Sequence, residues 1–221
     1  RAVQLGNGEV DVPRTFDGEH LRAIHGHLFQ DVYEWAGEYR TVEMSKGPGR
    51  GFGEVKTGEV DRYLSDAQRL VTSTDWAGIS RNDFVATAST VFAYVNQAHP
   101  FREGNGRTSK VFMAHVAEQS PYRFDFARVS PEQWNAGSAM SRPDMFSYAP
   151  EPASLVPVFA AVTVERTAVP PAPDRAAQAR SALSASYPRP AVDATKQTPQ
   201  QGTQARRGSA GYRTDRGSGR E

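Results

Sequence analysis

The sequence predicts an all-helical bundle interrupted by a small β-hairpin and followed by a disordered tail. Three observations predict it. Apolar residues recur at helical spacing in several stretches of the first 165 residues, one short stretch alternates with period two instead, and beyond residue 165 the apolar pattern stops. The charge changes at the same place: residues 1–165 hold 16 Lys and Arg against 21 Asp and Glu, whereas residues 166–221 hold 10 against 4. A mildly acidic unit is thus followed by a basic one. The expected organisation is a lead-in at 1–14, a folded domain at 15–165, and a disordered basic tail or linker at 166–221.

Each element has its own justification. Asp17 suits a helix N-cap, and Leu21, Ile24, Leu28, Phe29 and Val32 follow at helical spacing until Trp35-Ala36-Gly37 interrupts them. Tyr39 to Met44 alternates like a strand, and Gly47-Pro48-Gly49-Arg50-Gly51 is turn material before Phe52, so a hairpin is expected here. Val60, Tyr63, Leu64, Ala67, Leu70 and Val71 give a second helical stripe, and Phe84, Ala88, Val91, Phe92 and Val95 a third. The third should end near His99, because Pro100 disfavours a helical conformation in the residue before it. A fourth helix is expected from Asn105, as its cap, to about Glu118. Weaker ones are expected at 131–140 and from Pro152 to about Val162.

Composition removes several function classes. With no cysteine there are no disulfides, thiolate zinc sites or cysteine nucleophiles, and a reducing cytoplasm is compatible. No run of 18 apolar residues predicts a membrane span, and Arg1-Ala2-Val3-Gln4 does not open a signal peptide. A start at Arg1 rather than Met suggests a fragment or a trimmed start. From Val169-Pro170-Pro171 onward, Pro, Ala, Ser, Gln, Gly and Arg dominate. The spaced arginines there, Arg206 and Arg207 among them, suit nucleic acid or an acidic partner, but a plain solvated linker is the favoured reading.

The chemistry concentrates in His99-Pro100-Phe101-Arg102-Glu103-Gly104-Asn105-Gly106-Arg107-Thr108-Ser109-Lys110. Pro100 closes one helix, Gly104 and Gly106 permit a tight turn, and Asn105 opens the next helix. Arg107 and Lys110 then lie near the positive end of a helix dipole, where each cation costs about 0.3–1 kcal/mol unless an anion binds. Glu103 is a carboxylate suited to Mg²⁺ beside a phosphate. His99 can take a proton from a hydroxyl nucleophile. Base, metal ligand and phosphate cradle in one short loop point to phosphoryl or nucleotidyl transfer. Taken singly, each residue has an ordinary structural explanation; together they favour a site. A Walker-type phosphate loop does not fit, since no Gly-Lys-Ser or Gly-Lys-Thr occurs.

These residues resemble the Fic domain signature, H-x-F-x-(D/E)-G-N-G-R-x-x-R, at His99, Phe101, Glu103, Gly104, Asn105, Gly106 and Arg107. Residues 24–42, from Ile24 to Val42, are similar to the first core helix of that family and the entry to its flap, so the likeness runs from about Thr15 to Phe159. The resemblance implies a Fic-type helical bundle and a protein adenylyltransferase that moves AMP from ATP to a Ser, Thr or Tyr hydroxyl of a target protein. It implies His99 as base, Glu103 as the Mg²⁺ ligand, and Gly104, Asn105, Gly106 and Arg107 around the phosphates. Lys46 and Gly47 would touch ATP, and Met44, Ser45 and Phe52 would belong to a flap that positions the target as an added strand. Phe101 would anchor the loop.

The sequence departs from the signature at Lys110, where the family has a second Arg that meets the γ-phosphate. Lys keeps the charge but loses the bidentate fork. An inhibitory helix of the pattern (S/T)-x-x-x-E-(G/N) is common in the family, yet Thr15…Glu19 is followed by His20 and Ser147…Glu151 by Pro152. Control by a small antitoxin-like protein, or by sequence outside this chain, is therefore expected. Two rival readings remain: a Doc-like phosphotransferase, against which Gly106 weighs, and a non-catalytic module whose tail binds nucleic acid.

The remaining histidines and tryptophans receive structural readings. His25 and His27 lie two apart, a poor metal pair on a helix. His115 is expected as a satisfied packing residue, and Trp35, Trp76 and Trp134 as core or hairpin anchors.

Overall fold

The computed structural model describes residues 1–6, 9–46 and 50–166. The chain divides into two units, Arg1–Ala168 and Val169–Glu221. The tail expected at 166–221 lies outside the described residues, apart from Arg166, as does Gly47.

The first unit is helical. Its elements are α1 (Ala2–Gly6), α2 (Gly18–Phe29), α3 (Glu59–Ser73), α4 (Arg81–Ala98), α5 (Asn105–Ala117), β1 (Tyr122–Phe124), α6 (Pro131–Met140), α7 (Val156–Val162) and β2 (Thr163–Glu165). Single 3₁₀ turns occupy Phe126–Arg128 and Pro152–Ser154. Asp17 caps α2 by accepting from the His20 N–H, and Ser130 forms a reciprocal capping box with Gln133 on α6. Helix α2 stops at Phe29, so Val32 falls outside it and is exposed.

Helix α4 is the axis of the bundle. Phe84, Val85, Ala88, Val91, Phe92, Ala93, Val95 and Ala98 are buried over more than half of its circumference, leaving Ala86 exposed and Thr87, Thr90 and Tyr94 partly buried on the remaining face. It packs on α3, α5 and α7. Helix α3 buries one face, Val60, Tyr63, Leu64, Ala67 and Val71. Residues 1–14, expected as a lead-in, contribute Leu5 and Val12 to the same core. Strands β1 and β2 pair antiparallel, Tyr122 opposite Glu165 and Phe124 opposite Thr163, and the Phe124 ring packs between Phe84 and Phe159.

The expected hairpin flap takes a different form. Among the described residues, the segments around Met44 and Phe52 contain no strand. Phe52 N–H donates to the Met44 carbonyl at 3.0 Å, but neighbouring donors turn elsewhere: Arg40 N–H to Pro100 O, Gly53 N–H to Gln97 O, and Val55 N–H to the Glu43 carboxylate. A ladder needs those groups facing across the hairpin. Here Arg40 and Gly53 tie the arms to α4 and the loop after it, Val55 is held by a side chain, and the two-stranded sheet is formed by β1 and β2.

Candidate active site

The site grows from the junction of α4 and α5. His99 caps α4 in the left-handed region, φ 42° and ψ 57°. That conformation is uncommon outside glycine and costs roughly 1–2 kcal/mol, so the surrounding structure must hold it. The loop then closes on itself through Asn105, whose Oδ1 accepts from Phe101 N–H at 2.9 Å while its Nδ2 donates to Phe101 O at 2.7 Å. The cap of α5 is therefore Gly104, one residue earlier than expected, because the Asn105 side chain faces back into the loop. Gly104 has φ 82°, and a Cβ there would lie 2.5 Å from the Phe29 ring. Only glycine fits both conditions.

His25 supports this loop from α2. Its Nδ1 accepts from Gly37 N–H at 2.8 Å, which leaves the proton on Nε2 to donate to Glu103 O at 3.1 Å. Its ring stacks on Phe101 with centroids 3.9 Å apart. The structural reading of His25 thus holds, with an added part in fixing the loop.

A cavity of about 380 Å³ opens beside His99. Its walls include Asn105, Gly106, Thr108 and Ser109 of α5, Trp134, Asn135 and Ser138 of α6, and the cations Lys46 and Arg142, with no carboxylate among the described lining residues. Arg107 and Thr108 N–H groups bond back to Gly104 O, whereas those of Asn105 and Gly106 have no backbone acceptor among the described residues. A cavity with free helix N-terminal donors and unpaired cations favours an anion. Two buried polar atoms in its wall also lack partners, His99 Nδ1 and Thr108 Oγ1.

His99 is itself buried, and the Phe52 ring lies parallel to it at 3.7 Å. Burial first, and then the charges of Lys46 and Arg40, push its pKa down to about 3; the Asn96 carbonyl, outside hydrogen-bond geometry, offsets only part. The imidazole is neutral at pH 7, and in this conformation its burial opposes the protonated form.

The remaining expected site residues lie less centrally. Glu103 and Arg107 are exposed, 3.6 Å apart, and the Arg107 guanidinium rests over the Phe29 ring. Lys110 directs its ammonium over Trp134 at 4.7 Å and Phe126 at 5.3 Å, and does not line the cavity. Met44 and Ser45 line a separate hollow on the flap, of which Phe52 is also a wall. Trp76 is a buried anchor and Trp134 is both buried and part of the cavity wall. His115 is buried but only half satisfied: Nδ1 meets His20 Nε2 at 2.9 Å, and Nε2 has no partner. Sequence reasoning missed Arg40, the α6 residues Asn135 and Ser138, and Arg142 just beyond that helix, which no motif spacing connects to residues 99–110.

Residues 15–117 match the Fic/DOC family. Protein adenylyltransferase VbhT of Bartonella schoenbuchensis is 33% identical over 142 residues, covering 64% of this chain and 29% of that protein. The probable protein adenylyltransferase y4lH of Sinorhizobium fredii is 36% identical over 121 residues, covering 53% and 61%. The chain therefore spans less than two thirds of either relative. Among solved structures, the N-terminal Fic domain of a putative cell filamentation protein from Bartonella quintana, with bound ADP, superposes with a TM-score of 0.64 at 28% identity over 75% of this chain and 82% of that one. BepC of Bartonella tribocorum, with bound AMPPNP, shares the fold at 21% identity and a TM-score of 0.61, over 75% and 84%. With the loop from His99 to Arg107 built as described, residues 15–117 are similar to the Fic/DOC family, and the chain shares the fold of solved Fic domains.

Proposed function

We propose that this chain is a protein adenylyltransferase that moves AMP from ATP to a hydroxyl of a target protein. The observation that carries the reading is the carboxylate-free cavity in which a neutral His99 faces the N-terminus of α5. The relatives' printed names supply the reaction class. In the reaction, the target oxygen bonds to the α-phosphorus, the bond from that phosphorus to the pyrophosphate oxygen breaks, and the hydroxyl proton passes to His99. Pyrophosphate leaves.

Asn105 and Gly106 N–H groups receive phosphate oxygens, with Gly104 shaping the turn, and Lys46 and Arg142, which line the same cavity, add positive charge. Arg107 is within one turn and swings from Glu103 to the phosphates. Gly47 belongs to the same reading from outside the described residues. Lys110 keeps Trp134 in place and reaches phosphate only by leaving the two rings. Glu103 fits Mg²⁺: one exposed carboxylate suits an ion that takes most of its ligands from water and phosphate, and no cluster of three or more His, Asp or Glu competes for it among the described residues. When bound, the ion neutralises charge on the triphosphate.

The hollow lined by Met44, Ser45 and Phe52 receives the target segment, and a hydroxyl reaches His99 once Phe52 moves off the ring. The folded domain ends near residue 165 and the tail is a linker. The chain works in the cytoplasm under control of a small inhibitor protein. Among the described residues no helix is long and apolar enough to cross a membrane.

The test is label transfer to lysate proteins from α-labelled and γ-labelled ATP with Mg²⁺. Transfer of the α-label alone, abolished by His99→Ala, is expected. Transfer of the γ-label would replace this reading with phosphotransfer.

A further inference from the structure

The side chain of Arg40 is completely buried, and its guanidinium faces four backbone carbonyls from two parts of the chain. Nε donates to His99 O at 2.8 Å and Nη2 to Ala98 O at 3.3 Å. On the flap side, Nη1 donates to Val42 O at 2.7 Å and Nη2 to Gly53 O at 2.5 Å. Its own N–H donates to Pro100 O at 2.7 Å. The nearest carboxylate, Glu43, is 3.7 Å away and half-exposed, and its oxygens serve Val55 and Lys56 N–H groups.

A buried cation is costly and persists where its donors are matched by acceptors. Here the acceptors are informative. Ala98 and His99 carry carbonyls that the end of α4 leaves without helical partners, at the negative end of its dipole. His99 is the residue with the left-handed backbone, so a bond to its carbonyl fixes the peptide plane from which the imidazole projects. Gly53 follows Phe52, whose ring covers that imidazole. One guanidinium thus holds both rings through the backbone, without touching either.

We propose that Arg40 is the positioning residue of this site, setting the direction of the His99 imidazole and its register against Phe52, an inference that rests on His99 being the base. Lysine in its place has three donors on a compact ammonium and lacks the planar fork that reaches both sides. Arg40 does not line the nucleotide cavity, so its loss acts on the chemical step rather than on nucleotide binding.

The experiment compares the intact chain with Arg40→Lys and Phe52→Leu, following histidine ring signals by NMR, ATP binding by calorimetry and transfer by α-label. In the unsubstituted protein the His99 ring protons should be displaced upfield by the Phe52 ring, and the Arg40 Nε–H should exchange slowly with water. Arg40→Lys should remain folded by circular dichroism and bind ATP within threefold. Its transfer rate should fall at least tenfold, and its His99 signals should move to where Phe52→Leu puts them. Unchanged His99 signals in Arg40→Lys, or a loss of ATP binding parallel to the loss of rate, would overturn the assignment. If Arg40→Lys does not fold, exchange in the unsubstituted protein decides: protection of Nε–H supports the clamp and free exchange rejects it. A protein without transferase activity would remove the proposed reaction, while the His99 signals would still decide the role of Arg40.

Discussion

The Phe52 ring lies flat on the His99 ring, with 3.7 Å between centroids and 8° between planes. The flap residue therefore shields one face of the imidazole and contributes to the burial that lowers its pKa. Phe52→Leu should readmit water to that face and raise the His99 pKa by one unit or more toward the ordinary value of about 6.5. Titration of the His99 ring signals checks this. An unchanged midpoint would mean that the shift comes from elsewhere in the wall.

Stability should fall as pH drops from about 6.5 toward 4. His20, His115 and His99 have folded pKa values near 4, 3 and 3, all below their unfolded value. Above 6.5 all three are neutral in both states; below it the unfolded chain takes up protons that the folded one refuses. Desolvation is the main cause for His20 and His115, and their hydrogen bonding agrees. Phe16 N–H donates to His20 Nδ1, so His20 Nε2 carries the proton and donates to His115 Nδ1. A second proton has no acceptor to meet. Each histidine should steepen the dependence by up to about 1.4 kcal/mol per pH unit. Thermal melts between pH 7.5 and 4.5 measure it, and a flat profile would contradict the assignment.

Gly104→Ala should destabilise the domain by about 2 kcal/mol or more. The substituted residue would bear a positive φ, worth roughly 1–2 kcal/mol, and its Cβ would press on the Phe29 ring. Urea unfolding gives the magnitude. A loss below half a kcal/mol would show that α2 yields easily at Phe29.

The chemistry-bearing loop was legible because its parts are adjacent in sequence: a proline that ends a helix, a glycine that turns the chain, and an asparagine at the start of the next helix. Even there the cap moved by one residue, since Asn105 had two uses and the loop took its side chain. Helices α3 and α4 were legible from spacing alone. The flap was not, because alternation of Tyr39 to Met44 registers apolar character but not where the N–H groups of Arg40 and Gly53 find acceptors. Arg40 itself looks like any charged residue on a strand. Its burial arises only when the carbonyls of Ala98 and His99 come together with those of Val42 and Gly53 around it, and no local pattern records that.

Lys110 gives the last prediction. Its ammonium faces Trp134 and Phe126, and partial burial lowers its pKa. Cation–π contacts of this kind are worth about 0.5–2 kcal/mol, less than a charge-assisted bond to phosphate in a dry site. If Lys110 leaves the rings when ATP binds, Trp134 loses a neighbouring cation and its fluorescence changes on binding. Trp35 and Trp76 lie outside the cavity wall, so Trp134 should dominate the signal. Lys110→Met should abolish most of that change and weaken ATP about tenfold, whereas ADP, lacking the γ-phosphate, should lose less. Equal weakening of both nucleotides would place Lys110 in support of Trp134 rather than on the triphosphate.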